Sequence, residues 1–327
     1  MIRTCLAVTL KWIQACLVIP YMWLFTHLTR RRSYRRTHYA RVQVDTQKVR
    51  THSKNVPVSD MPEKGDNVSR WLLISDVHGE WRAAISNVVD NATRGALRDT
   101  LGIDVLILAG DTFWGQFASP RCSRRFWLRR LDSFLGCVKQ QGIEVYVVPG
   151  NHDYVFTHTN YEPRNFTVCL DDVVCLASED ADLPYRDIGT LTAGHCYSVT
   201  YELVTVADGI RTTLMASSPQ SRSRNSAFQR QKPHLRRLEY ALRQVNLQDD
   251  GIDVLVVHGE WDGLHDAAAD AGVSALLTGH YHDYNGVRKF RAGHKGRELL
   301  HANGAIMSGS YHPTQCPVIV DFDKTRR

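Results

Sequence analysis

The chain has eight cysteines but no CxxC pair. Cys122, Cys137, Cys169, Cys175, Cys196 and Cys316 are scattered, and Cys5 and Cys16 lie in an apolar stretch near the N-terminus. This spacing excludes a zinc ribbon and a dithiol redox motif, and leaves reduced structural thiols as the default. Acidic residues are missing from residues 1 to 44, which hold eight of the 40 Lys and Arg, so the remaining chain sets 32 basic residues against 34 acidic ones. The net charge of +6 is therefore a property of the N-terminus, and no specific nucleic acid is expected as a partner. There is no internal repeat or low-complexity tract. With 43% hydrophobic and 23% charged residues, the chain is too apolar for disorder and long enough for one large domain or two small ones.

From Cys5 to Phe25 the sequence is apolar apart from Lys11, Gln14, Pro20 and a couple of threonines. That is the length needed to cross a hydrocarbon core about 30 Å thick. Arg30, Arg31, Arg32, Arg35, Arg36 and Arg41 follow it and only Arg3 precedes it, a bias that holds the following domain on the cytosolic or matrix side. Residues 1–44 are thus expected to be a hydrophobic anchor helix with a basic flank. A mitochondrial targeting segment or a helix lying on the membrane surface remains an alternative. The sequons at Asn67, Asn91 and Asn165 matter only if the domain faces a lumen.

Residues 45–69 are polar, with Pro57, Pro62 and Gly65 and no sustained apolar periodicity, which predicts a linker. The domain is expected to span 70–327. Short unbroken apolar runs at 71–75, 104–110, 143–150, 253–259 and 273–279 read as strands buried on both faces, separated by helices at about 80–99, 122–141, 233–247 and 262–271. Residues 197–217 alternate and contain Asp208-Gly209, a strong hairpin signal. The fold class is α/β.

The chemistry is concentrated where these strands end. The first ends in Asp76-Val77-His78-Gly79, the second in Gly110-Asp111 and the third in Gly150-Asn151-His152-Asp153. Later strands end in His258-Gly259 and Gly279-His280-Tyr281-His282. Strand C-termini are where open α/β sheets form ligand sites. Two Asp, one Asn and four His brought to one edge repel or go unsatisfied without positive charge between them, and a divalent metal is the natural filling. Seven donors exceed the four of a structural zinc site and argue for two ions. Oxygen and nitrogen donors without thiolate suit Mn, Fe, Zn or Mg. Two such ions about 3.5–4 Å apart polarise phosphoryl oxygens and generate metal-bound hydroxide, so phosphoester hydrolysis is the expected reaction.

The ordered set Asp76-x-His78, Gly110-Asp111, Gly150-Asn151-His152-Asp153, His258 and Gly279-His280-x-His282 resembles the five motifs of calcineurin-like metallophosphoesterases over about residues 70 to 323. The resemblance implies a four-layer α/β/β/α sandwich. It assigns Asp76, His78 and His282 to one metal, Asn151, His258 and His280 to the other, and Asp111 as the bridge. It makes His152 the histidine that contacts the substrate phosphate and helps protonate the leaving oxygen. Asp153 is then expected to orient that imidazole. The text Gly110-Asp111-Thr112-Phe113-Trp114-Gly115 and the GNHD motif depart from the GDxxDRG and GNHE of protein serine/threonine phosphatases. His258-Gly259 with Gly263, GHYHDYNG, NGA and CPVIVDFD are similar to small metallophosphoesterase-domain phosphodiesterases, which implies phosphodiester substrates including 2′,3′-cyclic nucleotides.

A basic stretch at 121–130 reads as the solvated face of a helix that packs through Phe126, Trp127, Leu128 and Leu131. A second, from Arg222 to Arg237, holds Arg222 and Arg224 as candidate phosphate contacts and Phe228 as a base-stacking ring, or it is only a solvated loop. Trp114 and Trp261 are either rim packing or stacking surfaces. His195, His294, His301 and His312 fall outside the motifs and read as surface or core residues. The expected activity is hydrolysis of a nucleotide-like phosphodiester or phosphomonoester. A hydrolase of a lipid-linked phosphodiester or pyrophosphate at a membrane, and an inactive binding scaffold of the same fold, stay open as alternatives.

Overall fold

The computed structural model describes residues 38–44, 50–57, 63–79, 96–113, 121–156, 165, 167–168, 190–192, 195–197, 205–216, 218–219, 228–230, 232–245, 253–309 and 315–324. In chain order, β1 (His38–Val44), β2 (Arg50–Pro57), β3 (Val68–Ile74), β4 (Val105–Leu108), β5 (Glu144–Val147) and β6 (Thr167–Val168) come first. A short antiparallel pair follows, β7 (Thr190–Thr192) with β8 (His195–Tyr197), then β9 (Thr205–Ala207) and β10 (Ile210–Met215). The two-residue strands β11 (Ser218–Pro219) and β12 (Gln229–Arg230) pair with each other. The last five are β13 (Val254–Val257), β14 (Ala275–Thr278), β15 (Gly286–Ala292), β16 (Arg297–Asn303) and β17 (Val318–Asp323). The helices are α1 (Ala96–Leu101), α2 (Arg121–Lys139), α3 (Lys232–Val245) and α4 (Leu264–Asp270).

Two sheets carry the domain. One has the order β2-β1-β17-β3-β4-β5-β6 and the other β15-β16-β14-β13-β10-β9. Strands β3, β4, β5 and β6 run parallel, as do β10, β13, β14 and β16. The predicted hairpin joins β9 to β10, with Asp208 at φ 43 and Gly209 at φ 79, the left-handed pair that a two-residue turn requires.

Strand parity sorts the apolar residues into three cores. Leu72, Ile74, Leu106 and Leu108 face Leu97 and Leu101 of α1 and Leu128, Leu131 and Leu135 of α2. Their sequence neighbours Trp71, Leu73, Val105 and Ile107 face the other way, onto Val254, Val256, Ala275 and Leu277 of the second sheet. Leu255, Val257, Leu276 and Leu299 then pack under Leu235, Leu238 and Leu242 of α3 and Leu264, Ala267 and Ala268 of α4. The result is helix, sheet, sheet, helix. Burial of both strand faces explains the unbroken apolar runs.

One feature differs from expectation. Residues 38–44 and 50–57, read as basic flank and linker, form β1 and β2 and continue the first sheet beyond β17. β2 is an edge strand, where Arg, Lys and Pro are favoured, so it carries no apolar periodicity to reveal it. The expected hydrophobic anchor helix lies outside the described residues. Among the described residues no helix is long and apolar enough to cross a membrane.

Candidate metal centre

The five polar clusters do follow the C-terminal ends of β3, β4, β5, β13 and β14. The loops after β3 and β4 are laced together by backbone hydrogen bonds: Asp76 N–H to Gly110 O at 3.0 Å, His78 N–H to Asp111 O at 2.9 Å and Gly79 N–H to Thr112 O at 3.0 Å. Asp76, His78, Asp111 and His280 all have positive φ, at 55°, 48°, 50° and 68°. For residues with a Cβ this is an uncommon conformation, and its concentration on four of the seven expected ligands marks backbone strain held at a functional site.

Two groups of donors result. Asp76, His78 and His282 form one, and Asp111, His258 and His280 the other, with the ligand atoms of each group within 4.8 Å of one another. His282 Nδ1 lies 3.0 Å from the Ser308 carbonyl oxygen, and His258 Nδ1 lies 2.8 Å from that of Ala109. A carbonyl only accepts, so both Nδ1 atoms carry protons and both Nε2 atoms are turned inward. His282 Nε2 then faces Asp76 Oδ1 at 3.0 Å and His78 Nε2 at 3.5 Å. His258 Nε2 faces Asn151 Oδ1 at 3.1 Å and Asp111 Oδ2 at 3.3 Å. Asp111 is the shared member: its Oδ2 also lies 3.9 Å from His78 Nε2 and 3.8 Å from His152 Nε2, and its Oδ1 accepts the His152 backbone N–H at 2.7 Å.

The protonation pattern tests whether this set suits cations. Burial works to raise the pKa of Asp111, but the charges of His258 and His152 overcome it and hold the carboxylate ionised well below its usual range. Burial likewise opposes the charge on His258, yet Asp111 and its hydrogen bond push that imidazole up to about 10. Burial drives His78 down to about 3 and, with the repulsion of His258, His280 down to about 4. His282 is raised against burial by its hydrogen bond to Asp76. Without metal, the buried carboxylates draw positive charge onto the imidazoles facing them, raising His258 and His282 against their burial, at the places where a divalent ion has its ligands. The residues fit a dinuclear divalent centre.

All seven expected ligands come together here. His152 lies beside Asp111 as described. Asp153 departs from expectation: its carboxylate accepts from Gly150 N–H (2.9 Å), Phe113 N–H (3.0 Å) and Thr112 Oγ1 (3.3 Å), so it joins two loops and its hydrogen bonds go to these groups. Phe228, at φ 52, is half-buried and packs against both the first and the inter-sheet core. Arg222, Arg224 and Trp114 lie outside the described residues. Trp261 is buried and donates from Nε1 to Glu239 Oε1 at 3.0 Å, which makes it packing at the rim.

Sequence reasoning missed the supports of the His280–His282 loop. Asn303 Nδ2 donates to Gly279 O at 3.1 Å, and Gln315 Nε2 donates to His282 O at 2.8 Å. The available signal was the Asn303-Gly304-Ala305 motif. A third group, Glu260, His265 and His301, was also missed, because its members share no motif spacing.

The family model described as calcineurin-like phosphoesterase matches residues 69–284, well over half of the chain. No curated protein matches it. Among solved structures, it is similar to a 5′-nucleotidase precursor from Thermus thermophilus, at 14% identity and a TM-score of 0.42, covering 72% of this chain and 48% of that one. The chain thus spans about half the length of that protein. It is also similar to a dimetal phosphatase from Danio rerio, at 14% identity and a TM-score of 0.41, covering 78% of this chain and 92% of that one.

Proposed function

The chain belongs to the calcineurin-like phosphoesterase family, and from that premise we propose that this phosphoester hydrolase acts on a phosphodiester or phosphomonoester of a nucleotide-like small substrate. Asp76, His78 and His282 would hold one divalent ion, Asn151, His258 and His280 the other, and Asp111 would serve both. When bound, the ion pair supplies Lewis acidity toward phosphoryl oxygen and a water acidic enough to attack near neutral pH. The observation that carries the assignment is the position of Asp111, whose Oδ2 lies 3.3 Å from His258 Nε2 in one group and 3.9 Å from His78 Nε2 in the other.

The chain's own residues then divide the work. His258 and His282 are held in one tautomer by the Ala109 and Ser308 carbonyls, so their Nε2 atoms aim inward. His152, fixed by its backbone bond to Asp111, holds the proton that passes to the leaving oxygen. Arg222 and Arg224 contribute phosphate contacts from the basic loop. Phe228 keeps only part of its ring for a base, since it packs on two cores. The apolar N-terminal run and the arginines behind it support a membrane tether with the hydrolase on the cytosolic or matrix side.

The test is a substrate panel on the purified full chain, stripped with chelator and reloaded with Mn, Zn, Fe or Mg. Hydrolysis of aryl phosphodiesters and of 2′,3′-cyclic nucleotides is expected, and Asp111→Asn should lower it by about a thousandfold, ~4 kcal/mol in the barrier. A wild-type protein inert with every metal, or an Asp111→Asn variant of full activity, overturns the reading.

A further inference from the structure

Glu260, His265 and His301 come from three elements, the turn after β13, helix α4 and strand β16, and their donor atoms lie within 4.8 Å of one another. His301 is fully buried and shares the parity of Leu299, so it lies on the outer, helix-covered face of the second sheet. It uses none of the seven donors of the dinuclear centre. Glu260 Oε1 is 3.3 Å from His301 Nε2, and Glu260 Oε2 is 3.5 Å from His265 Nε2. Bonds of about 2.0–2.1 Å to a tetrahedral ion place neighbouring ligand atoms about 3.3–3.4 Å apart. The same spacing appears in the dinuclear centre, at 3.0 Å for Asp76 with His282 and 3.3 Å for Asp111 with His258.

Proton positions point the same way. The Tyr284 hydroxyl donates to Glu260 Oε1 at 2.9 Å and so accepts from His301 Nδ1 at 3.1 Å. That tautomer leaves one lone pair on His301 Nε2, which accepts from the Thr278 hydroxyl at 2.7 Å, so an ion beside the carboxylate 3.3 Å away takes that lone pair in exchange for this hydrogen bond. His265 Nε2 is buried without a hydrogen-bond partner. Two imidazoles and a carboxylate thus converge, with an unmatched nitrogen between them. Arg288, stacked 3.7 Å from the centroid of the Tyr284 ring, adds positive charge nearby. That disfavours hard ions held by charge alone and favours an ion that imidazole binds strongly.

We propose that Glu260, His265 and His301 form a third, mononuclear divalent-metal site of the zinc type, with water in the fourth position. The ion clips the end of β13 to α4 and β16 beside the loop that carries His280 and His282. Thr278 and Tyr284, which hold His301, flank that loop on either side, and Tyr281 donates from its hydroxyl to the Glu260 carbonyl at 3.3 Å.

Zinc content and cobalt spectra of the full chain test this. After chelator stripping, zinc reloading and dialysis, wild type should retain one more ion per chain than His265→Ala. Cobalt loading should give the strong visible absorption of a tetrahedral ion in wild type and in Asp111→Asn, and lose it in His265→Ala and in the near-isosteric Glu260→Gln. His265 is partly exposed, so its replacement is the milder one, and Glu260→Gln decides the matter if His265→Ala does not fold. Equal metal content in wild type and the variants, or a tetrahedral band that survives in them, overturns the site. Asp111→Asn separates the two readings, because it disables the dinuclear centre and leaves this absorption in place.

Discussion

The Asp153 carboxylate accepts the Gly150 backbone N–H at 2.9 Å and the Phe113 backbone N–H at 3.0 Å, so one buried side chain joins the loop after β5 to the loop after β4. Those two loops carry Asn151 and Asp111. Asp153→Ala leaves both N–H groups and the Thr112 hydroxyl without this acceptor, and each unsatisfied buried group costs about 1–3 kcal/mol. Urea unfolding of metal-free protein should show a loss of at least ~3 kcal/mol. Asp153→Asn, which keeps one acceptor oxygen, should lose about half as much. A pair of variants as stable as wild type sinks the idea that Asp153 holds these loops.

Gly150 is fixed by close approach. A Cβ built there collides with the Asp111 carboxylate and backbone nitrogen and comes within 2.8 Å of His258 Cε1. Both neighbours are expected ligands, so the backbone has no way to yield without moving them. Gly150→Ala should fold with both sheets intact yet bind metal at least tenfold more weakly, about 1.4 kcal/mol per factor of ten. Calorimetric titration with Mn measures it, and wild-type affinity in the variant contradicts the collision.

How much of this was legible in the sequence depends on how each element is buried. β3, β4, β5, β13 and β14 are covered on both faces, so their apolar runs stood out, and the ligand motifs could be read directly behind them. Asp208-Gly209 announced its hairpin because few other residue pairs accept two positive φ values. β2 was hidden, since an edge strand needs no apolar face. His301 looked like an ordinary core or surface histidine, because its partners Glu260 and His265 are brought to it only by the packing of α4 on the second sheet. Asp153 was misjudged for a related reason. Adjacency in sequence to His152 indicated one partner, while the turn of the loop aimed the carboxylate at the backbone of another loop.

Arg70 and Asp321 are directly opposite on β3 and β17 and form a buried bidentate pair, Nε to Oδ1 at 2.7 Å and Nη2 to Oδ2 at 3.1 Å. Arg70 Nη1 also donates to Leu101 O at 2.9 Å, which anchors the end of α1. Breaking such a pair from one side leaves a charge in the interior, at about 3–5 kcal/mol. Replacing both partners with apolar residues removes that penalty. Asp321→Leu alone should therefore be strongly destabilised in urea, and Arg70→Met combined with Asp321→Leu should recover most of the loss. Additive single effects in that double-mutant cycle refute the coupling.

Acid sensitivity supplies the last prediction. Burial pushes the His301 imidazole down to about 3, with the nearby His265 and Arg288 adding to the effect. In the unfolded chain a histidine titrates near ~6.5. Between those values the unfolded state binds a proton that the folded state refuses, so stability falls as pH drops from about 6.5 toward about 3. The slope from this one residue approaches ~1.4 kcal/mol per pH unit. His78 and His280, also pushed down by burial, contribute a background of the same sign. Comparison with His301→Gln cancels that background, because glutamine carries no titrating proton and can still meet Thr278. In chelator-treated protein, the urea midpoints of wild type should fall more steeply than those of His301→Gln between pH 6 and pH 4. Parallel curves over that window mean that His301 takes up its proton without unfolding the domain, and that its environment is wetter than its burial under α4 indicates.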